Sequence, residues 1–241
     1  MPRGLSVVEN FGKKNSAGGS GPLRLRLKDG ESAIVRFLEE GNDLFYYYYH
    51  NFSHLDPKNG FKVSFPCLDQ EDEGKPSPGA EHDFPRRFRT SVNVIWRDAP
   101  VYEKDSEGKI VTGSDGKWKQ IGKKDQVAVW EGGQNIFADL AKKDAKWGGL
   151  GSRDAEVSRT GSGLQDTKYH IEPADIDAGK TDLSENDKEL AKNKYDLEKI
   201  ARLDMTYDEV TELINKNLPG DDDDSASDDV ADFLDSDPFK E

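Results

Sequence analysis

Between Arg86 and Arg97 the chain reads RRFRTSVNVIWR, and from Phe88 onward apolar and polar residues alternate along it. Successive side chains of a strand point to opposite faces, so a period of two selects a β-strand. Phe88, Val92, Val94 and Trp96 fall on one face, and Arg87, Arg89, Asn93 and Arg97 on the other. Such a strand needs an apolar layer behind it. In front, a row of guanidiniums suits phosphate oxygens, which each guanidinium grips in a bidentate fork. A solvated face paired with acids elsewhere is the competing reading.

The same period recurs along the chain. Leu23, Leu25 and Leu27 alternate with Arg24, Arg26 and Lys28. Asp29-Gly30 then reads as a hairpin turn, with Ala33 to Leu38 as the returning strand. Further strands are expected from Leu44 to His50, Phe88 to Arg97, Gln126 to Glu131 and in the extended stretch Ala155 to Ile171. Ser106 to Gly122 is hairpin-like, and Gly161-Ser162-Gly163 marks a tight turn or a close backbone approach. A short helix is expected around Asn135 to Lys143. From Asp182 the period turns helical through Leu190, Leu197, Ile200 and Leu203, and Thr206 to Glu209 forms a capping box for a second helix. The β-α alternation of a parallel sheet is absent. The expected fold is mainly β with peripheral helices, α+β overall, built on a small open barrel.

Charge divides the chain more sharply than its net −14 suggests. Residues 220–241 sum to −9, residues 172–219 to −6, and residues 1–171 to +1. The organisation read from this is a flexible Gly/Ser-rich arm (1–21), a β core (22–171), an acidic helical segment (172–219) and a disordered acidic tail (220–241). Cys67 is the only cysteine, which excludes an internal disulfide and suits a reducing compartment. No stretch approaches the roughly 20 apolar residues of a membrane span.

Rings and bases interleave within the core. In Phe45-Tyr46-Tyr47-Tyr48-Tyr49-His50 one alternate set can fill a core while the other meets solvent. Tyr46 and Tyr48 are taken as the outward pair and as stacking platforms for bases, and a thick aromatic core with only the hydroxyls at the surface is the equal alternative for the run. Trp130 shares a strand face with Lys124, Gln126 and Ala128 rather than with Val127 and Val129, and is read the same way. Arg86, Arg153, Arg159 and Lys168 add positive charge, with Tyr169 beside the last. Together these describe an electrostatic groove with stacking platforms for a single nucleic-acid strand. No nucleophile elbow, phosphate-cradling Walker loop or His-Glu-x-x-His occurs, so no catalytic residue is assigned. His54 and Cys67 are too few to hold zinc, because Ser77 and Ala80 stand where a Cys-x2-Cys knuckle would continue, and His50 or His82 would have to substitute. The loop is expected to close without a metal, and no other cofactor is assigned.

Phe45 to Phe52 (FYYYYHNF), Arg86 to Tyr102, Gln126 to Glu131, Leu150 to Tyr169 and the acidic end together resemble the single-stranded DNA-binding proteins of tailed bacteriophages, the T-even helix-destabilising group. The resemblance implies an OB-fold (oligonucleotide-binding) barrel with the strand in a basic, aromatic cleft. It also implies an N-terminal arm for cooperative self-association on DNA. An acidic tail that recruits phage replication, recombination and repair proteins would follow, here through Asp221, Asp222, Asp223, Asp224, Phe233, Leu234 and Phe239. The site of action would be the cytoplasm of the bacterial host. The family's His-x12-Cys-x9-Cys-x2-Cys zinc loop is matched at His54 and Cys67 and replaced at Ser77 and Ala80, the pattern of a lost or altered site.

The function expected is non-enzymatic, sequence-tolerant binding of single-stranded DNA, with the tail also masking the groove. The alternative is an acidic DNA mimic or interaction protein that blocks a host nucleic-acid enzyme. It accounts for the net charge but not for the arginine-aromatic strands. A metal-dependent hydrolase on a β scaffold has the least support.

Overall fold

A computed structural model of the chain describes residues 22–55, 62–68, 75–107, 109–162, 166–175 and 179–217. The arm and acidic tail expected at 1–21 and 220–241 lie outside these residues. The described part is mainly β. Seven strands form one antiparallel, unclosed sheet: β1 Ser32–Phe37, β2 Phe45–Leu55, β3 Lys62–Pro66, β4 Arg87–Tyr102, β5 Gln120–Gly132, β6 Ala155–Thr160 and β7 Lys168–Pro173. Among the described residues five α-helices and two single-turn 3-10 helices (Gly41–Asp43 and Leu150–Ser152) accompany them; the α-helices are α1 Pro78–Glu81, α2 Gln134–Trp147, α3 Glu185–Ala191, α4 Leu197–Ala201 and α5 Tyr207–Asn217.

β4 organises the sheet. β5 pairs along most of one edge, from Thr90↔Gly132 to Tyr102↔Gln120. The other edge is shared in succession by β2 (Phe45↔Ser91 to Tyr49↔Arg87) and β1 (Phe37↔Val94 to Val35↔Trp96). The path then runs through β6 to β7 at one end and through β3 beyond β2 at the other. A bulge between Trp96 and Ala99 places Asp98 at φ 51°, with its N–H donated to the Asp125 carboxylate.

The alternation along β4 acts as expected, since Val92 and Val94 point into the main core with Val35, Phe37, Ala128, Leu140 and Val157. The expected hairpin through Asp29-Gly30 needs correction. Leu23 to Lys28 does not form a hairpin with β1. The segment crosses instead to β5, where the Leu25 N–H donates to the Val129 carbonyl (2.9 Å) and the Val129 N–H to the Leu23 carbonyl (2.7 Å). Its leucines still fill the core, which is all that their spacing required.

α2 runs longer than expected and stops at Gly148, whose left-handed φ of 70° lets the Gly148 and Gly149 N–H groups close on the Asp144 carbonyl. Gly161 turns the β6–β7 hairpin at φ 88°, where an added Cβ would collide with the Asp166 carbonyl. The helical period from Asp182 is split in two, α3 capped by Ser184 and α4 by Asp196. The capping box at α5 forms as expected, with Glu209 N–H donating to Thr206 Oγ1 and Thr206 N–H to the Glu209 carboxylate. α5 lays Val210, Leu213 and Ile214 on Phe52 and Phe65, a second core at the β2–β3 end. The acidic helical segment is thus packed onto the sheet.

Trp130 is 2% exposed, edge-on to Tyr169 at 5.6 Å and within ring contact of Phe37. It is a core residue. Val127 and Val129 on the opposite face are buried too, so polar neighbours in sequence did not make its face a surface. Trp130→Ala is expected to cost about 3–5 kcal/mol of folding stability, measured by urea unfolding. Loss below about 1 kcal/mol would contradict this core assignment.

Candidate nucleic-acid interface

The register of β2 against β4 decides which rings meet which cations. Tyr47 pairs with Arg89 and Tyr49 with Arg87, whereas Tyr48 pairs with Phe88 and Tyr46 with Thr90. Directly paired residues share a face. Tyr46 and Tyr48 therefore lie on the core-side face and Arg87 and Arg89 on the outer one, so a strand laid along one face cannot use both sets.

On the core-side face, Tyr46 and Tyr48 meet edge-on at 6.4 Å. Tyr46 is 51% exposed, stacks on Phe88 at 5.4 Å and meets the edge of Phe137 from α2. The Arg86 guanidinium lies 3.8 Å from the centre of the Tyr48 ring.

The outer face divides in two. At the β2 end, Phe45, Tyr47 and Tyr49 lie beside Arg87 and Arg89. The Arg89 guanidinium is over the Tyr49 ring at 4.4 Å and donates to its hydroxyl at 3.0 Å. Glu131 of β5 is next to Arg89 and forms an ion pair with Arg24 of the crossing segment. Arg26, exposed, follows Arg24 on the same side and lines a cleft with Arg24, Arg159 and Tyr169. Arg87 and Arg89 thus lie beside Tyr47 and Tyr49, and Arg24 and Arg26 lie across β5 on the same face, with the Glu131 carboxylate between Arg24 and Arg89. Burial acts to lower the Arg89 pKa, but Tyr47, Tyr49 and Glu131 outweigh it and hold the group above its ordinary value. Burial, reinforced by Glu131, raises the Tyr47 phenol. Both groups keep their neutral-pH charge states.

The other half of the outer face is covered. Arg97 bonds three carboxylates: Asp187 of α3 (2.6 Å), Asp125 of β5 (2.7 Å) and Asp154 before β6 (3.0 Å). Asn93 is buried; its amide donates to Glu39 and to the Tyr195 carbonyl, and its side-chain oxygen accepts from the Tyr195 N–H. Tyr195 in turn accepts a hydrogen bond from the Leu23 N–H through its hydroxyl. Residues 184–203 therefore lie as a strap across this half, and Asn93 and Arg97 serve the fold there.

The remaining expected positions are scattered. Arg159 donates to the Leu27 carbonyl (2.8 Å) and to Thr167, bracing the crossing segment. Arg153 lies 5.8 Å from the Trp147 ring, and its Nε is buried without a hydrogen-bond partner. Lys124 is exposed where β5 leaves the core, and Lys168 is exposed at the start of β7. The tail positions Asp221, Asp222, Asp223, Asp224, Phe233, Leu234 and Phe239 lie outside the described residues. Arg24, Arg26, Phe45, Tyr47 and Tyr49, which share the outer face, are not among the positions expected from the sequence. The alternation of Arg24 and Arg26 with leucines was visible, but not the strand to which that segment docks.

Ser77 stands at the third position of the zinc-like spacing. It caps α1, accepts the Ala80 N–H and lies 2.8 Å from His50 Nε2. His50 Nδ1 is 2.8 Å from the Phe84 carbonyl, which can only accept, so Nδ1 carries the proton and Nε2 accepts from the Ser77 hydroxyl. Cys67 is half-buried, and the side chain of His54 is outside the described set. Among the described residues no three His, Cys, Asp or Glu side chains converge.

The hydrogen bond from Arg97 holds the Asp187 carboxyl below its ordinary 3.8. A depressed folded value adds stability that is complete at neutral pH and lost as pH falls below the unfolded value. Asp187→Asn is expected to lose about 1.5–3 kcal/mol at pH 7, with the gap to the parent narrowing as acid is added. Urea unfolding at several pH values measures it, and a gap that widens in acid would refute the assignment. No protein-family model matches the chain, and no curated protein does.

Proposed function

We propose that the protein binds single-stranded DNA without sequence preference, through the uncovered half of the outer face. One observation carries this reading: Arg87 and Arg89 lie beside Tyr47 and Tyr49 on one face of the sheet, and Arg24 and Arg26 of the crossing segment lie across β5 on that same face. Cations that track a backbone beside rings that accept any base are the requirements of single-strand binding. Duplex reading commonly uses a helix placed in the major groove, and α2 instead turns Leu140 and Trp147 into the core. On this reading the unclosed sheet with α2 between β5 and β6 is an OB-like barrel. The chain would then be a phage single-strand binding protein of the T-even type, acting in replication, recombination and repair. No catalytic step and no cofactor are needed.

Two arginines separate phosphate binding from fold maintenance, because Arg26 and Arg87 are exposed. Arg26→Ala and Arg87→Ala are expected to weaken binding of labelled oligo-dT. Each should reduce the slope of log K against log salt by about 0.7, with the melting temperature unchanged. Tyr49→Ala should cost about 1–3 kcal/mol of DNA binding, more than Tyr46→Ala. Equal affinity for duplex and single strand, or a slope that both arginine variants leave untouched, would end this reading.

The tail at 220–241, with its net −9, is a tethered competitor for the same face. Its deletion should tighten oligo-dT binding at low salt and have little effect at high salt. Fluorescence anisotropy across a salt series measures both.

A further inference from the structure

Glu131 sets a carboxylate among the arginines of the uncovered outer face, and it meets two of them. Arg24 forms an ion pair with it from the crossing segment, Arg89 approaches it to 4.0 Å from β4, and the Ser91 hydroxyl lies 3.5 Å from its Oε1. The three charged groups are all open to water, with the side chains of Glu131, Arg24 and Arg89 exposed by 20%, 30% and 34%. Glu39 differs, because Asn93 engages both its oxygens where the strap crosses the sheet.

The elements around Glu131 are held in place without its side chain. The crossing segment docks on β5 through the main-chain bonds of Leu23 and Leu25 to Val129, and Arg159 braces it at the Leu27 carbonyl. β4 and β5 pair through their backbones at Ser91↔Glu131. Arg89 is placed by Tyr49, over whose ring it lies at 4.4 Å and to whose hydroxyl it donates at 3.0 Å. Partly exposed ion pairs also add little to folding stability. The effect left to Glu131 is electrostatic: it cancels the charge of Arg24 in a row where Arg26 and Arg87 stand exposed. A phosphate arriving at Arg24 meets a guanidinium already engaged by a tethered anion. Once displaced, that anion remains beside the phosphate as a like charge.

We propose that Glu131 is a built-in competitor of the DNA backbone, which holds the affinity of this face below what its four guanidiniums would give. The inference rests on the single-strand reading above and adds to it the residue that limits binding. A phosphate takes the place of the Glu131 carboxylate on Arg24, and the carboxylate turns toward the Ser91 hydroxyl. The Arg24–Glu131 pair brings no net charge to the strand, so only three of the four guanidiniums count toward the release of counterions from DNA.

The test is anisotropy of labelled oligo-dT with the full chain across a salt series. Glu131→Gln keeps the size of the side chain and removes its charge. It is expected to steepen the slope of log K against log salt by about 0.7. Its advantage over the parent, present at low salt, should shrink about fivefold for each tenfold rise in salt. Adding Arg24→Ala to Glu131→Gln should return the slope to that of the parent, and Glu131→Asp, which keeps the charge, should bind as the parent does. Glu107→Gln removes an exposed carboxylate at the far end of the β4–β5 hairpin and should leave affinity within twofold. A purely structural role for Glu131 predicts the opposite sign, weaker binding by Glu131→Gln together with a lower melting temperature. That result, a slope that Glu131→Gln leaves unmoved, or equal tightening by Glu107→Gln overturns the proposal, while binding by the parent keeps the single-strand reading. Binding by Glu131→Gln where the parent shows none supports the proposal, and binding by neither ends both.

Discussion

Arg97 draws together carboxylates from β5, from the turn before β6 and from α3, and this one guanidinium decides how much of the outer sheet face remains open. A cation removed from water needs compensating charge, and here it receives more than it carries. The excess is shared, since Asp154 also binds Arg36, which in turn donates to the Thr181 carbonyl and hydroxyl at the start of the helical segment. The two arginines therefore fasten an acidic segment to a sheet that would otherwise present a continuous basic row.

The consequence is a division of labour along one strand. Arg87 and Arg89 at the start of β4 remain beside tyrosines, Asn93 and Arg97 in its middle are bonded into the fold, and its far end leaves the core as an exposed ribbon. The same alternation that made β4 amphipathic thus supplies a candidate binding face, a fastening point and a projecting arm. Strap and ribbon also limit the candidate groove to the region between Arg26 and Arg87.

Much of this was legible. The period of two in β4, the hairpin after Tyr102, α2 and the capping box at Thr206 were read from spacing alone, because each depends on neighbours within a few residues. The tyrosine run also declared two faces. What spacing could not give was the register of β2 against β4, and a slip of one residue would exchange Tyr47 and Tyr49 for Tyr46 and Tyr48 beside the arginines. Trp130 was misread for a related reason. Lys124 and Gln126 share its side of β5, but the strand enters the core between Gln126 and Ala128, so one face changes from wet to dry along its length.

The sequence by itself determined which residues stand together on each strand, that the chain folds mainly as β, and that its positive charge is concentrated before residue 172. These follow from local backbone geometry and from composition. Only the tertiary structure decided which guanidiniums are neutralised and which are left facing the rings, because an aspartate at 187 and an arginine at 97 have no relation along the chain until α3 is folded back over the sheet. Local periodicity fixes the direction of a side chain, whereas the pairing of charges depends on which distant segment arrives to meet it.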